Sequence, residues 1–429
     1  MKVVQLNRWD VKGGAAIAAY RQHKAVQSIG TDSTMFVREK LSDDCSVQEL
    51  DINNITVEDI AQRDSIRRKA ETLLSMNKGE IGSHLGPFSL PFAPFGKQML
   101  NQLPDADILN LHWISGLVDF PEFFSHEKTQ IPIVWTLHDM YPFTGGCHYS
   151  GACGKFVNEC GACEYISSNR EVDLSRKIHE IKSNALSCVP FPITVVAPSK
   201  WLARQAKRSL MFKDFDVHVI PYSLDQHQFK PRSQKKIRED LNLPSDKIIA
   251  FFPSDYVSDP RKGLIYIEQA FRGLTENEAR QLLFVTVGNS SAQKNGLVEQ
   301  LSLPYVSDPI VMSKYYNAAD FTLLPSIEDN LPNIILESMS SGTPLIAFNT
   351  GGAPDFIVDN KTGWLVEKRN VSKLVDAIRS AISSPEKILE MGNTAQDTAK
   401  KEFAMELQGK RYLRLYEKLK EACSLKAII

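Results

Sequence analysis

Side chains able to do chemistry gather in a few short stretches of this 429-residue chain. The densest is PSIEDNLPNIILESMSSGTPLIAFNTGGAPDFI (325–357). Carboxylates at Glu328 and Asp329 precede a turn, Asn330-Leu331-Pro332-Asn333, whose proline suits the opening of a helix, and Glu337 follows inside that helix. Acceptor oxygens so spaced suit the vicinal hydroxyls of a sugar ring and a ribose, and a helix N-terminus between them suits a diphosphate. A solvated capping carboxylate is the competing reading of the bare spacing. Upstream, Arg261-Lys262-Gly263 adds two cations. In the first half of the chain, WTLHDMYPFTGG (135–146) offers His138 and Asp139 at the end of an apolar run, and Lys12-Gly13-Gly14-Ala15 offers a glycine turn whose backbone N–H groups can approach an anion. Cys147, Cys153, Cys160 and Cys163 supply four soft ligands within one loop.

These residues need strands that end where they begin. Short β-branched runs alternate with longer amphipathic stretches: VVQL (3–6), a helical stretch at 15–30, STMFV (33–37), then DILNLHWI (107–114), IPIVWTLH (131–138) and ITVVAP (193–198). After the last, Ser199 is placed as the N-cap of WLARQAKRSL. This rhythm predicts a parallel sheet covered by helices, the α/β class. The pattern breaks around VHVIPYSLDQHQFKPRSQKK (217–236) and restarts with KIIAFFPS (247–254), LLFVTVG (282–288), a PYV strand (304–306), DFTLLPS (320–326), TPLIAF (343–348) and GWLV (363–366), a second doubly wound sheet. Helices are expected after Lys262-Gly263, near 312–319 and from about 332. Leu407, Tyr412, Leu415 and Leu419 recur at helical spacing in a terminal helix. In doubly wound folds ligands lie beyond the carboxyl ends of the strands, where these motifs fall.

Taken in order, the motifs resemble those of the retaining glycosyltransferases of family 4. Asp329 and Glu337 stand at the spacing of that family's E-x7-E donor signature; Gly13-Gly14 matches its glycine loop, His138-Asp139 its HD pair, VIPYSLDQHQF (219–229) its interdomain connection, Lys262-Gly263 its KG and NAADFTLLPS (317–326) the strand before the signature. EDNLPN, DILNLHW and FTGGCHYSGAC are similar to the bacterial branch that builds capsular, exopolysaccharide or lipopolysaccharide repeat units. The resemblance implies a GT-B fold, two Rossmann-like domains facing a cleft: residues 1–222 joined by a returning helix at 404–429, for the acceptor, and residues 223–403, for the nucleotide sugar. It implies no obligate catalytic metal, and a hexose transferred with retention from a nucleoside diphosphate, UDP before GDP, to a saccharide or lipid-linked glycan.

The same resemblance distributes roles. His138 would stabilise the donor sugar or the developing charge, Lys262 and Arg261 the diphosphate, Asp329 a hexose hydroxyl and Glu337 the ribose. Gly13, Gly14 and the backbone of Asn330, Leu331, Pro332 and Asn333 would line the donor, with Gly288, Tyr305 and Val306 near the base. Two departures stand out. Asp329 is one methylene shorter than the family's Glu and has Glu328 beside it, leaving open which carboxylate meets the sugar. The family's Arg before KG is replaced by PSDYVSDP (253–260), and Arg261 reads either as a diphosphate ligand or as a solvated residue at a helix start.

Composition bounds the remaining classes. With 43% hydrophobic and 24% charged residues the chain is globular, and 50 Lys+Arg against 51 Asp+Glu leave no basic excess for nucleic acid. The N-terminal apolar run is too short for a signal peptide and no uncharged 18-residue stretch occurs, so a cytoplasmic protein is expected. The four clustered cysteines read as a structural zinc site, with His148 as a substitute ligand, or as reduced or disulfide-linked cysteines. Phe88, Phe92 and Phe95, in the Gly/Pro-rich 77–96 segment, read as exposed contacts for an acceptor or a membrane surface, or as rings packed on their own domain. A nucleotide-sugar epimerase or a non-catalytic binder of the same fold is the alternative function. A nicotinamide oxidoreductase is disfavoured because G-x-G-x-x-G is missing.

Overall fold

The computed structural model describes residues 1–53, 56–77, 86–190, 193–255, 259–288 and 297–426. The first seven strands are β1 (Lys2–Trp9), β2 (Asp32–Glu39), β3 (Val47–Glu49), β4 (Ile108–Leu111), β5 (Ile133–Thr136), β6 (Thr194–Ala197) and β7 (Asp216–Val219). They form one parallel sheet in the order β3-β2-β1-β4-β5-β6-β7. Strands covered on both faces have no reason to alternate, and β4, β5 and β6 are buried at every position. The order reverses between β1 and β4, which opens the switch-point crevice at their carboxyl ends.

Six more strands, β8 (Ile248–Pro253), β9 (Leu282–Val287), β10 (Glu299–Leu303), β11 (Phe321–Leu324), β12 (Leu345–Phe348) and β13 (Gly363–Val366), form a second parallel sheet ordered β10-β9-β8-β11-β12-β13. Its switch point lies between β8 and β11. The PYV strand is displaced: β10 runs over Glu299–Leu303 and stops before Pro304, which has no N–H to give to the ladder. Tyr305 and Val306 therefore follow the strand. The expected helices appear at Leu264–Arg272, Pro309–Ala318 and Asn333–Ser340. Ser199 caps Lys200–Arg208, its hydroxyl accepting from Leu202 N at 3.1 Å.

Two compact units result, Met1–Pro221 with the chain from Met405 onward, and Tyr222–Ala404. The helix Met405–Lys426 packs on the helix Gly14–Ser28 so closely that a Cβ on Gly409 would lie 2.3 Å from the Ala25 carbonyl oxygen, so only glycine fits there. Tyr412, Leu415 and Tyr416 join Val3, Val26, Ile108, Val134 and Val196 in one apolar cluster. Both tyrosine hydroxyls are buried yet satisfied: Tyr412 with Thr136 Oγ1 at 2.9 Å, and Tyr416 with Asn110 and Gln22 amide nitrogens at 2.9 and 3.1 Å.

The three phenylalanines are not exposed. Phe88 stacks on Tyr165 with ring centroids 5.5 Å apart, Phe92 packs with Leu73, Ile166 and Leu174, and Phe95 lies under the Arg63 and Arg38 guanidinium groups. The Gly/Pro-rich stretch holds these rings to the first unit; its residues 78–85 lie outside the described residues.

Candidate active site

In the second unit the loop after β11 carries the acidic stretch against the turn Pro260–Lys262. Ile327 N donates to Arg261 O at 2.9 Å and joins the two loops. Asp329 Oδ2 then receives Lys262 Nζ at 2.7 Å and Arg261 Nη1 at 3.1 Å, while Asp329 Oδ1 accepts from Asn330 N at 2.9 Å. Burial pushes the Asp329 carboxyl pKa up, but the Lys262 and Arg261 charges and their hydrogen bonds more than reverse this and hold it well below the usual carboxylate range. Gly351 lets the next loop close over the clamp: its φ is 57°, and a Cβ there would lie 1.7 Å from Asp329 O.

Arg261 is not a solvated helix-start residue. It is buried, donates to Glu328 O at 2.9 Å and reaches Asp259 Oδ2 at 3.3 Å, so carboxylates and a carbonyl hold its guanidinium. Glu337 lies in the helix Asn333–Ser340, which Pro332 opens without a side-chain cap, and accepts from the Tyr316 hydroxyl at 3.0 Å. Tyr316 is fully buried, so it orients Glu337 from below. Asp255 follows β8 at the switch point. Its pKa is raised by desolvation and by Glu337, with Lys262 opposing, and Asp255 and Glu337 in turn raise Tyr305, after desolvation. Lys262, Glu337, Asp255 and Tyr305 thus share one electrostatic neighbourhood. Gly288 is less available than expected, because its N–H continues the sheet by donating to Leu303 O at 3.2 Å.

In the first unit Gly13 precedes the helix Gly14–Ser28 with φ 84° and open space where a side chain would stand. Arg8 and Lys12 lie over the Trp9 ring, which stacks on Trp113 at 5.4 Å. His138 follows β5 and is buried. Its Nε2 lies 3.0 Å from His112 Nδ1, just after β4, and burial lowers its pKa to about 4 despite Asp139, so the ring is neutral at pH 7. Asp139 is the anchor of the pair. It accepts from Trp113 Nε1 at 2.7 Å and Tyr141 N at 2.9 Å and meets His148 Nδ1 at 2.6 Å.

His148 is therefore committed to Asp139, to Ser89 Oγ at 2.9 Å and to a stack on Tyr141, and is not a spare metal ligand. Cys147, Cys153, Cys160 and Cys163 do line one small cavity, of about 20 Å³. Among the described residues, however, no group of three or more His, Cys, Asp or Glu stands where it could hold a metal ion. Burial raises the Cys147 and Cys163 thiols and pushes Cys160 up to about 12. The loop is also tied by Lys182, whose buried ammonium donates to Tyr141 O at 2.5 Å and Thr144 O at 3.2 Å and sits 3.4 Å above the Tyr141 ring. Sequence reasoning missed His112, Lys182, Asp255 and Tyr316. Asp255 and His112 carried a signal, Asp255 by its place after the KIIAFFPS run and His112 by its place in the DILNLHW stretch.

Residues 233–398, within the second unit, match the family described as Glycosyl transferases group 1. That stretch of the chain is similar to group 1 glycosyl transferases, and it contains Arg261, Lys262, Asp329 and Glu337. A D-inositol 3-phosphate glycosyltransferase from Nocardia farcinica is 24% identical over 334 residues, 74% of this chain and 67% of that protein. Two further relatives of that name align over 41% and 52% of their own length. Among solved structures, sucrose-phosphate synthase from Thermosynechococcus elongatus superposes with a TM-score of 0.65 at 16% identity, covering 98% of this chain and 99% of that one. Anabaena HepE, solved with UDP-glucose, gives 0.63 at 14% identity, covering 97% and 100%. The fold is GT-B. Among the described residues no helix is long and apolar enough to cross a membrane.

Proposed function

We propose that this protein is a retaining glycosyltransferase that moves a hexose from a nucleoside diphosphate sugar, UDP preferred, to a saccharide or lipid-linked glycan acceptor in bacterial polysaccharide assembly. The observation that carries this reading is the Lys262–Asp329 clamp beside Glu337 at the switch point of the second sheet. The ion pair holds the Lys262 ammonium in place before any ligand arrives. A diphosphate takes that ammonium as its partner, and the interaction strengthens as the anomeric C–O bond breaks and its electron pair passes to the phosphate oxygen. Glu337, set by Tyr316, accepts from the ribose hydroxyls. Glu328 and Asp329 stand by the hexose, and Tyr305, with Val306 and Gly288, by the base.

The acceptor belongs to the first unit, where the Arg8–Trp9–Trp113 group stands at the carboxyl ends of β1 and β4, while Gly13 and Gly14, at the start of the first helix, serve the donor. The acceptor oxygen bonds to the anomeric carbon on the face the diphosphate leaves, and its proton passes to the departing phosphate. His138, neutral, contributes a hydrogen bond to the reacting sugar. The protein works in the cytoplasm, where nucleotide sugars are made.

Titration with UDP-, GDP- and ADP-hexoses, followed by melting temperature and by NMR of the product anomer, tests this reading. One donor should raise the melting temperature, Lys262→Ala and Glu337→Ala should each abolish most of that rise, and the product should keep the donor's anomeric configuration. Unaltered binding in both variants, or an inverted product, overturns it. Turnover unchanged in His138→Ala at saturating substrate removes that residue from the mechanism.

A further inference from the structure

A line of buried side chains runs through the first unit from β1 to His138. Gln5, in β1, accepts from His112 Nε2 through its Oε1 at 3.0 Å. Its amide nitrogen faces the other way, donating to Ser33 Oγ at 3.3 Å and to the Tyr416 hydroxyl. With Gln5 in this orientation the proton positions along the line follow in turn. Facing the Gln5 oxygen, His112 carries its hydrogen on Nε2, which leaves a lone pair on Nδ1. Since Nδ1 lies 3.0 Å from His138 Nε2, His138 is the donor in that bond. Gln5 is fully buried and His112 is 2% exposed, so water does not compete for these bonds.

The strand register explains why the two rings meet. Leu111 of β4 pairs with Trp135 of β5, which sets His112 level with Thr136, and His138, two residues further along, follows on from the same strand with ring centroids 5.3 Å apart. Gln5 pairs with Asn110 across β1 and β4 and is thereby set one step below His112.

We propose that His112, held by Gln5, is a positioning residue that fixes the tautomer and ring orientation of His138. This rests on the reading of His138 as the group that meets the reacting sugar. The hydrogen bond to His112 occupies Nε2–H and so makes Nδ1 the acceptor side of the His138 ring.

Two readouts test this. The first, long-range ¹⁵N NMR of the histidine-labelled full chain, needs no substrate: His138, assigned by the signals lost in His138→Ala, should show a protonated Nε2 and an unprotonated Nδ1. A protonated Nδ1 overturns the proposal. The second is kinetic. His112→Asn keeps an acceptor oxygen near the position of Nδ1 and should retain kcat within about fivefold, whereas His112→Phe removes that acceptor and should lower kcat about 10- to 100-fold with donor KM within about threefold. Equal kcat in His112→Phe and the native protein overturns the positioning role. If His112→Phe does not fold, the NMR result on the native chain and the Asn variant still decide. Unchanged turnover in His138→Ala would sink the catalytic reading alone, because the tautomer is read separately.

Discussion

Replacing Asp329 by Asn keeps the shape of the side chain and removes its charge, which isolates the electrostatics of the clamp. In the native protein one oxygen takes Lys262 Nζ at 2.7 Å and Arg261 Nη1 at 3.1 Å. The variant leaves two cations beside a neutral amide. Removing one partner of a buried ion pair destabilises by about 3–5 kcal/mol. Here the effect is reduced, because the Lys262 side chain keeps 21% of its surface exposed and Arg261 retains Asp259 and the Glu328 carbonyl. About 2–3 kcal/mol remains. Trp364 is the only tryptophan in Tyr222–Ala404, whereas Trp9, Trp113, Trp135 and Trp201 lie in the first unit. In protein labelled with 5-fluorotryptophan, one ¹⁹F resonance thus follows urea unfolding of the second unit, which need not melt with the first. At pH 7 the unfolding free energy followed at Trp364 should fall by that amount, its midpoint moving by the same figure divided by the m-value, and the midpoints of the other four should not move. The difference should shrink on acidification. Asp329 has its folded pKa depressed, so its contribution is complete above the unfolded value of about 3.9 and is lost as pH falls through the lower folded value. Equal midpoints at pH 7, or a gap that widens at pH 3, refute the clamp.

Tyr316→Phe removes the hydroxyl that holds Glu337 and should weaken donor binding about three- to tenfold with kcat little changed, measured by calorimetric titration; an unchanged Kd shows that Glu337 needs no such support. Gly351→Ala forces a Cβ to 1.7 Å from Asp329 O at φ 57° and should destabilise the second unit by more than about 2 kcal/mol, so a native-like melting curve would contradict the close packing of the two loops. In iodoacetamide mass mapping at pH 8, the exposed Cys45 and Cys188 should react first and Cys147 and Cys160 last. Raising the pH to 9 should not expose Cys160, since its thiol stays protonated until near pH 12; early labelling of Cys147 or Cys160 would show that the loop opens.

What could be read from the sequence were the features that local chemistry dictates. The apolar runs became strands because both faces of each sheet are covered, and Ser199 and Pro332 mark helix starts by their own backbone and side-chain preferences. The helix Val57–Leu74 left no such trace, because it buries only Asp59, Ile66 and Leu73 and has no apolar stripe to betray its period; the Thr56–Asp59 capping box was its one local signal. In the site, Lys262, Asp329 and Glu337 stood out by type and spacing. Tyr316 and His112 did not, since each matters through a neighbour brought to it by strand order. Arg261 was ambiguous for a related reason: a cation at a helix start is solvated or buried according to what folds over it, and here that is Glu328 and Asp329.

The helix Met405–Lys426 completes a sheet whose first strand begins at Lys2, with all of Tyr222–Ala404 intervening. On a ribosome the strands of that sheet emerge early, yet the hydroxyls of Tyr412 and Tyr416 that satisfy Thr136 and Asn110 arrive only when the last turns have been translated. Until then the amides of Asn110 and Gln22 and the apolar side chains of Val3, Val26, Ile108, Val134 and Val196 lack the cover that this helix provides, while the intervening half is contiguous in sequence. A chain cut short before Met405 would thus have all the strands of its first sheet and lack the helix that covers one face of it.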